Sequence, residues 1–392
     1  MRKHLDRALT LLLLFALLLG LGKAVMLPKE TNFYENRTAN QPPRFSAFSW
    51  LHGEFQDALE AALTDQIPLA QKLEFCYHQA TNSFLKSTLL HLSAAYPNRY
   101  FGYHDLMIFG GDRIVYPTVY LDQKQDLLDN KIEGLNNLFS HYPLVPFYVY
   151  YIEKDTDLNF ESGSPSGISD YVLSNLHLPD SQKSCFTVRS ISDFEQWFYR
   201  TDHHWNCYGS YRGYQQVMQL LGKTSILSPL GEAERIVGGM SGAKARVSGG
   251  SALFTEDLYA YRFSFPEMKI TIDGMTVDDY GMQDAVFSPE DDGTIGYSNF
   301  YGGDDGEIVF HTQQAGAGNL LIIGESFDNA ILKLIASSFE NTYSVDLRNY
   351  EHEMGVPFNF GKYVTEHQID RVLLIGNVDY FLMDEFLPEG TP

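Results

Sequence analysis

Leu320-Leu321-Ile322-Ile323-Gly324-Glu325-Ser326-Phe327-Asp328-Asn329 is the stretch on which the reading of this chain turns. Four consecutive aliphatic residues read as a short buried strand, because a strand covered on both faces loses its polar alternation. Gly324 permits a tight turn after it. Residues 329–338 then have helical character. Ser326 is thereby expected where the C-terminal edge of a sheet meets a helix N-terminus. Backbone N–H groups at such a place can stabilise an oxyanion, which suits a nucleophile. Gly-x-Ser is a weak pattern by itself, and a helix cap or turn residue is its plainer reading.

Outward from this stretch, strands and helices alternate. Val345 and Leu347 suggest a further strand, residues 355–366 a helix, and Val372-Leu373-Leu374-Ile375 another buried strand. Upstream, Val145–Ile152 is an apolar aromatic run that ends in Glu153-Lys154-Asp155, a buried strand whose end faces polar groups. Helices are expected over 124–140, 166–176 and 211–222, with a short strand at Phe186–Val188 and a hairpin from Leu106–Phe109 and Ile114–Tyr120. Residues 50–92 have helical spacing with a break at Asp65–Pro68. Between these blocks, residues 231–310 are rich in glycine and short β-type runs, among them Leu258–Phe265, Met268–Ile272, Ala285–Phe287 and Ile308–Phe310. The expected organisation is a leader over 1–27, an α/β domain in two parts over 28–230 and 311–392, and a β-rich insertion or subdomain over 231–310.

The leader carries Arg2, Lys3 and Arg7 before an apolar run from Ala8 to Gly22. A basic flank before an apolar run of about 15 residues has the form of a secretory signal or a short signal anchor. No small-x-small cleavage site stands out, so the expectation is a single N-terminal membrane anchor with the remainder exported, and secretion is the alternative.

The formal net charge is −22, from 28 Lys and Arg against 50 Asp and Glu. So acidic a chain repels nucleic acid, and no nucleic-acid partner is expected. The 25 Tyr and 27 Phe suit packed strands, and aromatic clefts that bind carbohydrate are a second use for them. Three cysteines, Cys76, Cys185 and Cys207, leave room for one bridge at most and form no CxxC pair. Gly238-Gly239-Met240-Ser241-Gly242 lacks the Lys-Ser/Thr pair of a phosphate loop, and no cofactor motif is present.

The strongest local signal is Thr201-Asp202-His203-His204-Trp205-Asn206, in a loop between two helical stretches. An Asp two residues before a His can fix the imidazole tautomer and stabilise the imidazolium. Two histidines and an Asp also suit zinc, but no further ligand is evident, and no metal is expected. A hydrogen-bonded loop packed on aromatics is the third reading. A serine needs a base and a base needs an orienting carboxylate, so Ser326, His204 and Asp202 read better together than apart.

Thr201–Trp205, followed by Asn206 and Gly209, resembles the signature of the DHHW protein family, which is similar to the AlgX/AlgJ-like SGNH group that acetylates exopolysaccharide. Glu35–Arg37, Asp65–Pro68, Gly324–Phe327 and Asp346–Arg348 share in the likeness. The resemblance implies an SGNH-hydrolase-like three-layer α/β core and a triad of Asp202, His204 and Ser326, with His203 at the variable position. Trp205, His203, Gly324, Glu325 and Asn206 are then supporting or substrate-proximal residues. It implies O-acetyl transfer to a polysaccharide or other glycan, with a membrane-bound O-acyltransferase as donor partner. Esterase activity and a non-catalytic role in glycan binding or cell-envelope assembly are the alternatives. One departure stands out: Glu325 occupies the place where the group has Asp before the serine.

Overall fold

The computed structural model describes residues 22, 29, 31–32, 37–66, 73, 76–77, 87–103, 105–247, 254–280 and 295–383. In chain order the main helices are α1 (Glu54–Gln66), α2 (Leu121–His141), α3 (Ile168–Asn175), α4 (Ile191–Trp197), α5 (Cys207–Leu220), α6 (Leu332–Ala336), α7 (Phe360–Glu366) and α8 (Val378–Leu382). The strands that matter are β1 (Phe101–Tyr103), β2 (Leu106–Phe109), β3 (Arg113–Val115), β4 (Phe147–Ile152), β5 (Lys183–Phe186), β6 (Glu234–Met240), β7 (Glu256–Ala260), β8 (Met268–Ile272), β9 (Met275–Val277), β10 (Glu307–Thr312), β11 (Asn319–Ile323), β12 (Asn341–Val345) and β13 (Arg371–Gly376).

Eight of these strands form one sheet in the order β9-β8-β10-β12-β11-β13-β4-β5. From β12 to β5 every pairing is parallel, and β10, β8 and β9 extend the sheet antiparallel. The period of two along each parallel strand explains the aliphatic runs. Leu320, Ile322, Leu373, Ile375, Tyr150 and Ile152 enter one apolar cluster with Tyr214, Val217 and Met218 of α5 and Leu332 and Ile335 of α6. Leu321, Ile323, Val372, Leu374, Val149 and Tyr151 enter the other, with Leu128, Ile132 and Leu135 of α2, Phe360 and Tyr363 of α7, and Phe381 of α8. Both faces of the sheet are thus covered by helices, and each strand must be apolar on both sides. The expected α/β fold is what the chain adopts.

Several sequence expectations move. Of the stretch 231–310, β8 and β10 hydrogen-bond into the main sheet, while β6 and β7 pair with each other alone. Ala285–Phe287 lies outside the described residues, as does most of 67–86. The hairpin at 106–120 is a three-stranded meander of β1, β2 and β3. The three cysteines are free thiols, so the single bridge allowed by their number does not form. The membrane anchor is corrected: among the described residues no helix is long and apolar enough to cross a membrane. The leader itself, Gly22 excepted, lies outside the described residues.

The topology gathers three polar segments. Ser326 follows β11, Asn377 follows β13 and Lys154 follows β4, all at the C-terminal edge of adjacent parallel strands. In open α/β sheets that edge is where ligands bind.

Candidate active site

The 198–206 loop connects α4 to α5 and is pinned at its base. Phe198 bridges Trp205, Tyr199 N donates to His204 O at 3.1 Å, and Asn206 N donates to Trp197 O at 2.8 Å. Asn206 is the N-cap of α5; its side-chain oxygen accepts from Tyr208 N and Gly209 N, each at 3.0 Å. That satisfies orphan donors of the first turn. Trp205 is fully buried and packs on Phe186, on Phe327 and against Gly213, where a Cβ would strike the indole. These two residues of the Asp-His-His-Trp-Asn block therefore seat the loop.

The loop is clamped from a second direction. Glu256 of β7 accepts from Arg200 N at 2.9 Å and from Thr201 N at 2.7 Å. Thr201 Oγ1 in turn accepts from Gly242 N at 3.1 Å. A Cβ at Gly242 would collide with Asp202 and the Thr201 carbonyl, so this position must be glycine for the two backbones to approach. The glycine run that fails as a phosphate loop serves close packing instead.

Within that frame the three expected residues meet. Asp202 Oδ1 accepts from His204 Nδ1 at 2.6 Å and from His204 N at 3.0 Å, and its Oδ2 accepts from Ala243 N at 2.7 Å. With Nδ1–H committed to the carboxylate, His204 Nε2 is left as an acceptor, and Ser326 Oγ lies 2.8 Å from it. Asp202 is wholly buried and His204 nearly so, while Ser326 is partly open. Burial alone would raise the Asp202 carboxyl, but the His204 and His203 imidazoles and the donated hydrogen bonds hold it well below the usual carboxylate range.

Glu325 and Gly324 shape the turn. Ser326 Oγ also lies 3.3 Å from Glu325 Oε2, while Glu325 Oε1 accepts from Asn377 Nδ2 at 2.7 Å. The longer carboxylate of this chain thus spans from the serine to the loop after β13. Burial raises the Glu325 carboxyl, opposed by Arg348, His204 and Lys154. A Cβ at Gly324 would run into the Asp328 carboxylate and Ile375, which accounts for the glycine there.

His203 points elsewhere. Its Nδ1 is buried without a hydrogen-bond partner and lies 3.7 Å from Asp202 Oδ1. Burial, the neighbouring His204 and the ammonium groups of Lys154 and Lys244 hold it well below the ordinary imidazole value, against the pull of Asp202. Asp202, His203 and His204 each offer a ligand atom within 4.8 Å of the others. A cation there would compete with hydrogen bonds that already engage both Asp202 oxygens and would face two nearby ammonium groups, so the donor set does not suit a metal.

Two features escaped the sequence reading. Tyr297 stacks on His204 with ring centroids 3.8 Å apart and planes 4° from parallel. Beyond it, Tyr301 packs on Tyr297 at 4.6 Å and lines a small cavity of about 60 Å³ with Tyr211, Tyr261, Phe263, Phe265 and Lys333. Nothing in local sequence marked Tyr297, because its register against the loop is set by the fold of a distant segment.

A family model described as DHHW protein matches residues 173–345, a span that holds both the Asp202–Trp205 block and Ser326. Over that span the chain is similar to the DHHW family. Among solved structures, Bacillus cereus PatB1, described with a sulfonyl adduct, superposes at a TM-score of 0.52 with 20% identity, covering 71% of this chain and 96% of PatB1. A DHHW family protein from Eubacterium siraeum gives the same TM-score of 0.52 at 15% identity, covering 73% of this chain and 95% of its own. At such identity these neighbours share the fold of this chain. The O-acetyltransferase domain of Pseudomonas putida AlgJ is more distant, with a TM-score of 0.39 and 9% identity over 73% of this chain and 94% of that domain. Among curated proteins none matches the chain.

Proposed function

We propose that this chain is a serine-dependent acyl-transfer enzyme of the SGNH type, with Ser326 as nucleophile, His204 as general base and Asp202 as the carboxylate that orients it. The observation that carries the proposal is the unbroken hydrogen-bonded line from Asp202 through His204 to Ser326, at 2.6 and 2.8 Å. Those distances are within general-base reach before any substrate is bound.

In the proposed reaction Ser326 Oγ attacks the carbonyl carbon of an acyl ester as its proton passes to His204 Nε2. The imidazolium is stabilised by Asp202 and then gives that proton to the departing alkoxide, leaving an acyl-enzyme. An incoming hydroxyl next loses its proton to His204 Nε2 and attacks the acyl carbon. Ser326 leaves with the proton returned. The N–H of Ser326, at the turn after β11, is a donor for the oxyanion.

For the acceptor we favour a glycan hydroxyl over water. The description of AlgJ as an O-acetyltransferase supports acyl transfer only as a distant analogy. The description of PatB1 with a sulfonyl adduct is consistent with a reactive nucleophile in this fold. A membrane-bound O-acyltransferase would be one source of the acyl group.

The test is acyl-enzyme trapping. The full chain is incubated with p-nitrophenyl acetate and its intact mass is read beside Ser326→Ala and His204→Ala. The expected result is one acetyl adduct on Ser326 that both variants lack. Folded wild-type protein that gains no mass and releases no nitrophenol would refute the triad.

A further inference from the structure

His204 is enclosed on both ring faces. Tyr297 lies parallel to it at 3.8 Å, and His203 lies 3.9 Å away at 34°. Two rings cannot both sit within about 4 Å of one face at van der Waals separation, so they occupy opposite faces. Phe327, the residue after the proposed nucleophile, closes the edge at 4.8 Å. Tyr297 is 3% exposed, and its hydroxyl lies 3.5 Å from the Ser326 carbonyl oxygen.

We infer that Tyr297 is a positioning residue for the proposed base: its ring face holds the His204 plane toward Ser326 and stabilises the imidazolium formed as the serine gives up its proton. The inference rests on the serine-dependent reading above and deepens it. The π face of an aromatic ring attracts a cation, most strongly where water is excluded, and a flat imidazolium stacked face to face meets that condition. The opposite face carries no competing positive charge, because His203 stays neutral beside buried Lys154 and Lys244. The titratable and charged groups around His204 are then Asp202 and His203 from its own loop, Glu325 and Ser326 from the turn after β11, Tyr297 from the segment before β10, Lys154 from the end of β4 and Lys244 from the 243–247 helix. Burial also keeps the Tyr297 hydroxyl protonated, so the ring remains a neutral partner.

The role separates from simple packing through the choice of variant. Tyr297→Phe keeps the ring and loses only the hydroxyl; Tyr297→Leu loses the π face at similar burial. Acetylation of Ser326 by p-nitrophenyl acetate is followed across pH 5 to 9 in the full chain, with thermal melts of each variant. The expected result is a Phe variant within about twofold of wild type and a Leu variant about 5- to 30-fold slower, with the acid limb of its profile moved to lower pH because the protonated ring has lost its partner. Should the Leu variant not fold, Tyr297→Met takes its place. Equal rates in wild type and Leu, or an equal loss in Phe and Leu, would overturn the inference. If wild type itself forms no acyl-enzyme, the serine reading fails instead. The stack is then decided by nitrogen NMR of the His204 ring, whose downfield Nδ1 proton should persist in the Phe variant and broaden in the Leu variant. An identical signal in both would overturn the positioning role by itself.

Discussion

Asp202→Asn is the most exacting substitution. The carboxylate accepts three hydrogen bonds in a wholly buried place, two from His204 and one from Ala243 N. An amide has one oxygen to offer. With that oxygen toward His204, its NH2 group opposes the Ala243 N–H. With the oxygen toward Ala243, the NH2 opposes the His204 backbone N–H and donates to Nδ1, which forces the proton to Nε2 and leaves the proposed base without its acceptor. Each orientation leaves at least one buried backbone N–H unsatisfied, at a stability cost of about 1–3 kcal/mol. The first keeps the tautomer but loses the charge opposite the imidazolium, and a charge-assisted bond is about twice as strong as a neutral one. The second abolishes base function, which costs about 10⁴ in rate where a Ser-His-Asp triad operates. The acetylation rate of Ser326 by p-nitrophenyl acetate should therefore fall by about 10² to 10⁴, with a lowered melting temperature. The assay is stopped-flow release of nitrophenol at pH 7 beside a thermal melt. A variant within threefold, roughly, of wild type and with an unchanged melt would show that Asp202 neither orients His204 nor holds Ala243, and the site would need another reading.

Two further outcomes are expected. Lys244 and Asp155 form an ion pair at 3.0 Å with both side chains fully buried; Lys244→Met should lower stability by about 3–5 kcal/mol in denaturant titration, and the added Asp155→Asn should recover most of it. Burial pushes the Asp157 carboxyl up to about 7 despite the hydrogen bonds it accepts. Its unfolded value is about 3.9, so the unfolded chain ionises first as pH rises and wild-type stability falls between those values. Asp157→Asn removes that dependence, and its melting temperature relative to wild type should be highest at pH 8 and decline as pH falls to 4; a constant difference would refute the assignment.

What the sequence determined follows from periodicity and local chemistry. Aliphatic runs such as Leu320–Ile323 and Val372–Ile375 have few other uses than strands covered on both faces, so the α/β class was legible. The spacing of Asp202 and His204 lets one loop bring carboxylate and imidazole together, and Ser326 stood out at a strand-to-helix turn. What only the tertiary structure decided depends on partners remote in sequence. The 2.8 Å contact between His204 and Ser326 spans 122 residues and exists because the loop before α5 meets the C-terminal edge of β11. Gly242 reads as part of a loose glycine run until its backbone is seen against Asp202, and β8 and β10 read as an insertion until they pair into the main sheet. Tyr297 and the Glu325–Asn377 bond carry no sequence signature at all, since a side chain's face and reach are fixed by strand order and register, and these are set by the packing of the whole sheet.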